Sequence, residues 1–373
     1  MDTPQKLTLA EALTEISDPR KPSNGTRHNF QEILVISICA VLSDCDLVED
    51  IAEWARVKEA WLRQFLVLKN GIPSEDTFLR IFQLIDPKQF ESVFRRWVSS
   101  VVGVLEGVVA VDGKTVRGSG DGEQSPIHMV SALATQSGLV LGQEKVAQKS
   151  NEITAIPELL RALLLKGCLV TIDAMGCQKA IATQIVEQGA DYLLAVKGNQ
   201  PSLLEAIDIA FISRRTGLSL HETFLKDHGR RVGQFAWTLP AEGIVDTATW
   251  KQCATVGVVL SQRIEKGKMA EPEWRYYISS ADLTPEQLAQ ATRAHWGIEN
   301  RLHWQLDVTF REDAATLKKG NAPQNMSMLR KIVLNVLRAD TSDKAKSSLR
   351  RKRKRAAWDD NIRAGILGLQ PLV

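Results

Sequence analysis

Residues 167–178 read GCLVTIDAMGCQ, and the order of residue types within them decides how the rest of the chain is read. Leu169-Val170-Thr171-Ile172 is a short apolar, β-branched run of the length of a buried strand. Asp173 falls where that strand should end, just before a helix-like segment. In open α/β sheets ligands gather in the crevice outside the carboxyl ends of the strands. A carboxylate in that place asks for partners at neighbouring strand or helix ends.

Working upstream, Val108–Val111 leads into Asp112-Gly113-Lys114-Thr115, a second strand with an acid at its end, although Asp-Gly alone is also a hairpin signal. Further strands are predicted at 127–134 and 140–146. A helix is predicted over 151–165, with Pro157 near its first turn, where proline is tolerated. Downstream come a helix over 178–188, a strand Tyr192–Val196 ending at Lys197, and a helix from Ser202 to about Phe211. The order β-β-β-α-β-α-β-α is the ribonuclease H-like arrangement, a mixed sheet with helices on its faces, so the fold class expected is α/β. It places the first and fourth strands side by side, with Asp112 and Asp173 at one sheet end.

The flanks read differently. Residues 1–100 are helical and are expected to form an all-α N-terminal domain associated with DNA. Residues 31–42 suit a buried helix or a strand, and 47–66 and 74–85 form two helices joined by a Gly-containing turn. That pair is compatible with a DNA-reading helix-turn-helix, and two packed helices without a DNA role are the commoner meaning of such a hairpin. The core is expected over 101–213, a β-rich insertion over 214–283 with strands near 232–238, 254–261 and 274–280, and the core's completion over 284–340. Thr284 caps a long helical stretch that carries Glu299. Residues 341–373 are expected as a basic C-terminal tail.

Composition narrows the classes. Hydrophobic residues at 44% and charged residues at 24% are ordinary for a soluble globular protein, and 373 residues suffice for two or three domains. Five cysteines without CxxC spacing argue for reduced thiols in the cytoplasm, against a disulfide framework and against structural zinc. The N-terminus has no basic and apolar signal-peptide pattern, and the most apolar run, 33–42, is too short for a bilayer, so no membrane partner is expected. The net charge is +3, yet Lys344–Arg355 alone carries eight Lys or Arg and no acid. A basic tail on a mildly acidic body points to a polyanionic partner.

Asp112, Asp173 and Glu299 are the candidate chemical centre. Hard oxygen ligands from several elements suit Mg²⁺, and two such ions roughly 4 Å apart serve phosphodiester chemistry. Asp307, Glu312 and Asp313 are alternative third ligands. Lys197 is either a phosphate contact or a solvated turn lysine. Trp237, Trp250 and Trp274 are either platforms for an extruded base or sheet packing. His295, beside Trp296, either orients a phosphate or packs within its helix.

The strings AVDGKT, KSNEITAIPELL, TIDAMGCQ, DYLLAVKGNQP, RAHWGIENRLHW, DVTFRED and KGNAPQN resemble the bacterial H-repeat-associated transposases, a branch of the DDE insertion-sequence transposases. DPRKPSNGTRH and GIPSEDTF resemble that family's helical N-terminal region, and RKRKRAAWDD its C-terminal end, so the similarity spans nearly the whole chain. The resemblance implies a ribonuclease H-like catalytic domain in which Asp112, Asp173 and Glu299 are the catalytic and metal-binding triad. Mg²⁺ is the implied cofactor, with Mn²⁺ able to replace it. Double-stranded DNA is the implied partner, cut at element ends and joined to a target through the freed 3′-hydroxyl, with a homodimer pairing the two ends at the nucleoid.

Related transposases often carry a Tyr, an Arg and a Lys around the helix-borne Glu, where this chain has Thr292, His295 and Leu306, with Arg293, Arg301, Lys318 and Lys319 nearby. The phosphate contacts expected are Lys114, Lys197, His295, Arg301, Lys318, Lys319 and, in the tail, Arg350, Arg351, Lys352, Arg353, Lys354 and Arg355. Two rival readings keep the resemblance: a nuclease that cuts without joining, and a non-catalytic DNA-binding protein derived from a transposase.

Overall fold

Six helices precede the first strand in the computed structural model, which describes residues 7–23, 26–121, 125–147, 150–214, 217–227, 230–265, 268–342 and 347–372. Lys344 and Lys346 of the basic stretch, and Lys149 of KSNEITAIPELL, lie outside the described residues. The helices are α1 (Leu9–Leu13), α2 (Phe30–Leu42), α3 (Val48–Val57), α4 (Glu59–Leu62), α5 (Glu75–Leu84) and α6 (Pro87–Val102). The ambiguous run at 31–42 is thus helical, capped by Asn29, whose side chain accepts from the Glu32 amide, and buried along almost its whole length. α5 opens with Glu75 and Asp76, both exposed. A helix that reads a groove approaches phosphates with that end, and two carboxylates there repel them.

The core follows as β1 (Gly107–Thr115), β2 (His128–Ala134), β3 (Val140–Lys145), α7 (Glu152–Arg161), β4 (Cys168–Ile172), α8 (Lys179–Glu187), β5 (Asp191–Val196) and α9 (Pro201–Ser213). This is the element order that the residue pattern predicts. Pro157, however, lies inside α7 and not in its first turn. β1 pairs β4 in parallel and β4 pairs β5 in parallel, and apolar runs such as CLVTI and DYLLAV fill strands covered on both faces.

Residues 220–279 form β6 (Leu220–Asp227), β7 (Arg230–Pro240), β8 (Thr255–Glu265), β9 (Lys268–Met269) and β10 (Glu273–Ser279). They do not stand apart from the core sheet. β10 lies antiparallel against β5, and one mixed sheet runs β3-β2-β1-β4-β5-β10-β8-β7-β6, with β9 on β8. β6 was not expected from the residue pattern, because LHETFLKD mixes charges into its alternation and pairs on one side only, with β7.

After the sheet, α10 (Pro285–Ile298) starts from a capping box between Thr284 and Gln287 and then widens into two π-helical turns, Glu299–His303 and Gln305–Thr309. α11 (Ala322–Ala339) is buried over nearly all of its length and packs against α2, α5, α6 and β3. α12 (Leu349–Trp358) and α13 (Asp360–Leu367) pack on α2 and α11. One hydrophobic core therefore runs from the N-terminal helices through the sheet to α11 and α12.

The basic stretch is not a free tail. Leu349, Arg353 and Ala356 recur at helical spacing on one face of α12, and that face turns inward. Arg353, expected on DNA, is 1% exposed. Its guanidinium donates to the Val41 carbonyl at 2.6 Å and to the Asp46 carboxylate at 2.5 Å, and it lies 4.4 Å over the Phe310 ring. Lys352 is likewise engaged, donating to the Leu337 and Asp340 carbonyls at 3.1 and 2.7 Å. Among the described residues no helix is long and apolar enough to cross a membrane.

Candidate active site

Val111 pairs with Ile172 across β1 and β4, and Asp112 and Asp173 are each the next residue; Asp173 follows the end of β4, whereas Asp112, expected at a strand end, lies inside β1, which runs on to Thr115 paired with β2. α10 crosses both strands and ends at Glu299. The three acids line one cavity of about 440 Å³, together with Lys197, Arg275, His295 and Trp296.

Burial pushes the Asp112 carboxyl up to about 7; the Gly113 amide opposes that, while Asp173, Glu152 and Glu299 add like-charge repulsion. Asp173 is also raised, by burial and then by Glu152, against the Gly176 and Met175 amides and Lys197. Those two amides reach Asp173 Oδ1 at 3.4 and 3.1 Å and orient the carboxylate. Asp112, Glu299 and His303 bring ligand atoms within 4.8 Å of one another, a group that could hold a metal ion, and Asp173 lines the same cavity outside that group. The same charges would be costly with nothing to offset them.

Three participants were missed from sequence. His303, 4% exposed, turns Nδ1 towards Glu299 Oε2 at 3.1 Å and Asp112 Oδ2 at 3.6 Å. Glu152, first residue of α7, bonds His128 Nε2 at 2.6 Å and acts electrostatically on both aspartates. Arg275 on β10 brings positive charge to the cavity wall and lies 4.3 Å from the Trp296 ring centre. Only His303 left a signal, since Glu299 and His303 are four apart and share a helix face.

A second cluster stands beside the first. Lys114 meets Asp307 at 2.7 Å, Asp313 at 3.1 Å and Glu312 at 3.3 Å. Burial alone would raise the Glu312 carboxyl, yet Lys331, Arg330 and Lys114 hold it below its usual range. Lys114 is thus committed to three carboxylates and is not free for phosphate. Asp307, Glu312 and Asp313 are correspondingly engaged with that lysine and do not line the cavity.

Among the other expected contacts, Lys197, Lys318, Lys319, Arg350 and Arg351 are exposed, while Lys354 and Arg355 are half-buried. Arg301 is exposed, and its guanidinium donates to the Thr135 carbonyl. His295 Nδ1 meets Thr171 Oγ1 at 3.0 Å, and burial pushes its imidazole down to about 4, so it faces the cavity neutral. Thr292 lines the cavity, whereas Arg293 turns away to Thr223 and Gln234. Trp250 is buried and Trp237 is half-buried. Trp274 reaches the cavity wall and stacks on Trp237 with ring centres 6.1 Å apart.

The sequence matches the family described as transposase DDE domain over residues 104–336, and the one described as DDE_Tnp_1-associated over residues 10–98. It is 41% identical over 371 residues to the "H repeat-associated putative transposase YhhI" of Escherichia coli K12, covering 96% of this chain and 97% of that one. The same identity and coverage relate it to the protein YbfL of that strain, and 41% identity over 276 residues to an uncharacterized protein in the dhlA 3′ region of Xanthobacter autotrophicus, covering 72% and 93%. A piggyBac transposase synaptic complex with hairpin DNA is a looser neighbour, with a TM-score of 0.47 at 10% identity over 97% of this chain and 77% of that one. With a DDE domain matched over most of its length and relatives aligned nearly end to end, the chain belongs to the DDE transposase family, alongside the H repeat-associated transposases.

Proposed function

We propose that the chain is a ribonuclease H-like transposase that hydrolyses phosphodiesters at element ends and joins the freed 3′-hydroxyls to target DNA. The observation that carries this reading is the convergence of Asp112, Asp173 and Glu299 on one cavity, from just beyond the last parallel pair of β1 and β4 and from the helix that crosses them. These residues would hold Mg²⁺, with Mn²⁺ as a substitute, and such ions supply an activated oxygen nucleophile and offset charge on the leaving oxygen. Hydrolysis breaks the phosphorus–O3′ bond and leaves a 3′-hydroxyl. In joining, that hydroxyl loses its proton and displaces an oxygen of the target strand.

The chain's own residues frame these steps. The Met175 and Gly176 amides keep Asp173 in one orientation. Lys197 and Arg275 supply positive charge where a phosphodiester enters a cavity that is otherwise acidic. The exposed Lys318, Lys319, Arg350 and Arg351 would extend the contact along the DNA, making affinity fall with salt. For residues 1–100 the proposal is DNA association through surfaces other than the acidic start of α5. Pairing of two element ends would use a homodimer acting at the nucleoid in the cytoplasm.

The test is cleavage of a labelled duplex carrying the gene's own flanking repeats, with Mg²⁺ or with chelator, by the wild-type chain and by Asp173→Ala. Cleavage at the repeat boundary, abolished by the substitution, is expected, followed by joining to a second duplex. Cutting without joining would assign the chain to the nuclease reading. Equal binding by both proteins with no cut would assign it to the DNA-binding one.

A further inference from the structure

We propose that His303 is a ligand of the same metal centre, making it a site of three carboxylates and one imidazole nitrogen. The inference rests on the reading of Asp112, Asp173 and Glu299 as metal ligands and goes beyond it.

Three observations converge. His303 Nδ1 lies 3.1 Å from Glu299 Oε2 and 3.6 Å from Asp112 Oδ2, and one donor atom from each of the three side chains falls within 4.8 Å of the others. Ligands about 2.1 Å from a common ion sit roughly 3 Å apart when adjacent, so the 3.1 Å spacing is that of neighbouring donors and the 3.6 Å one lies a small side-chain movement away. Second, Nδ1 contacts two proposed ligands at once, while Nε2 is buried without a hydrogen-bond partner among the described residues. Either tautomer leaves Nε2 alone, so no neighbour fixes which ring nitrogen carries the proton, and as a ligand through Nδ1 the ring would carry it on Nε2. Third, Asp112, Asp173, Glu299 and Glu152 already crowd negative charge into this corner. A neutral nitrogen fills a ligand position without adding a fifth carboxylate.

The π-helical turn that starts at Glu299 and closes at His303 presents both side chains to β1 from a single turn. Such turns inside helices are frequent at functional sites. The chemical consequence concerns metal choice. Mg²⁺ takes oxygen ligands almost exclusively, whereas imidazole suits the later divalent ions better, so a nitrogen donor favours Mn²⁺ over Mg²⁺.

The experiment is pulsed electron paramagnetic resonance of Mn²⁺ added to the full chain, with calorimetric titration of Mn²⁺ and Mg²⁺ into wild type, His303→Gln and Asp112→Asn. Nitrogen coupling to Mn²⁺ is expected in wild type, changing character when histidine is supplied as ¹⁵N and disappearing in His303→Gln. That variant should bind Mn²⁺ at least about tenfold more weakly, with a smaller loss for Mg²⁺. Mn²⁺ binding that depends on Asp112 but lacks nitrogen coupling would overturn the proposal, leave the carboxylate site standing, and make His303 a hydrogen-bond donor to Glu299. Should Asp112→Asn leave Mn²⁺ binding unchanged, the carboxylate site itself would fail. The wild-type and ¹⁵N spectra decide the matter even where His303→Gln does not fold.

Discussion

Asp112 and Lys114 lie two residues apart on β1, yet one opens onto the cavity and the other is enclosed by Asp307, Glu312 and Asp313. Lys114→Met therefore removes the cation shared by the three carboxylates, of which the buried Glu312 keeps Lys331 and Arg330, and should cost about 1.5–3 kcal/mol, read as a lower urea midpoint, with the salt dependence of DNA binding unchanged. Glu91 offers a test by pH. It is buried between Gln143 and Gln324, and burial pushes its carboxyl up to about 7. The native state then keeps a proton that the unfolded chain has already lost, so this group makes stability fall as pH rises from the usual carboxylate range to about 7. Glu91→Gln should flatten that fall, as thermal melts between pH 5 and pH 8 would reveal. Among site residues, Asp112 and Asp173 were legible because an acid directly following an apolar run stands out, although β1 carries on past Asp112 to Thr115. His303 was not, because its meaning depends on a 3.1 Å approach to Glu299 that spacing permits without requiring.

At the scale of elements, the core strands were readable as short apolar runs and the core helices as the segments between them, set off by turn residues such as Gly167, Gly189 and Gly198. The expected insertion was harder to place, since whether β10 lies beside β5 or in a separate sheet is decided by pairing partners far away in sequence. One close approach holds the site's frame. A Cβ on Gly118 would fall 1.9 Å from the Ala315 carbonyl oxygen, a backbone atom that cannot step aside as a side chain can. Gly118→Ala should cost about 1–3 kcal/mol and displace the segment bearing Glu312 and Asp313, loosening Lys114. Thermal unfolding checks the first effect, and a parallel loss of Asp112-dependent cleavage checks the second.

At the scale of the molecule, the two ends of the chain share one core. The run of basic residues looked like a solvated tail because composition reports charge but not which face of a helix turns inward. Arg353→Met should cost about 3–5 kcal/mol by stranding Asp46, whereas Arg350→Ala with Arg351→Ala should leave the melting temperature nearly unchanged. If both exposed arginines meet phosphate, the double variant should flatten the slope of log affinity against log salt by about 2.

The bond between Arg353 and the Val41 carbonyl, 312 residues apart, also fixes when the molecule can first exist. At usual rates of synthesis α2 leaves the ribosome on the order of tens of seconds before its partner helix is made. Until then α2 can pack on α1 and α3 but lacks α11, α12 and α13, which cover the rest of it. A gene copy interrupted upstream of Arg353 should thus yield a product that lacks this closure and is cut more readily by proteases.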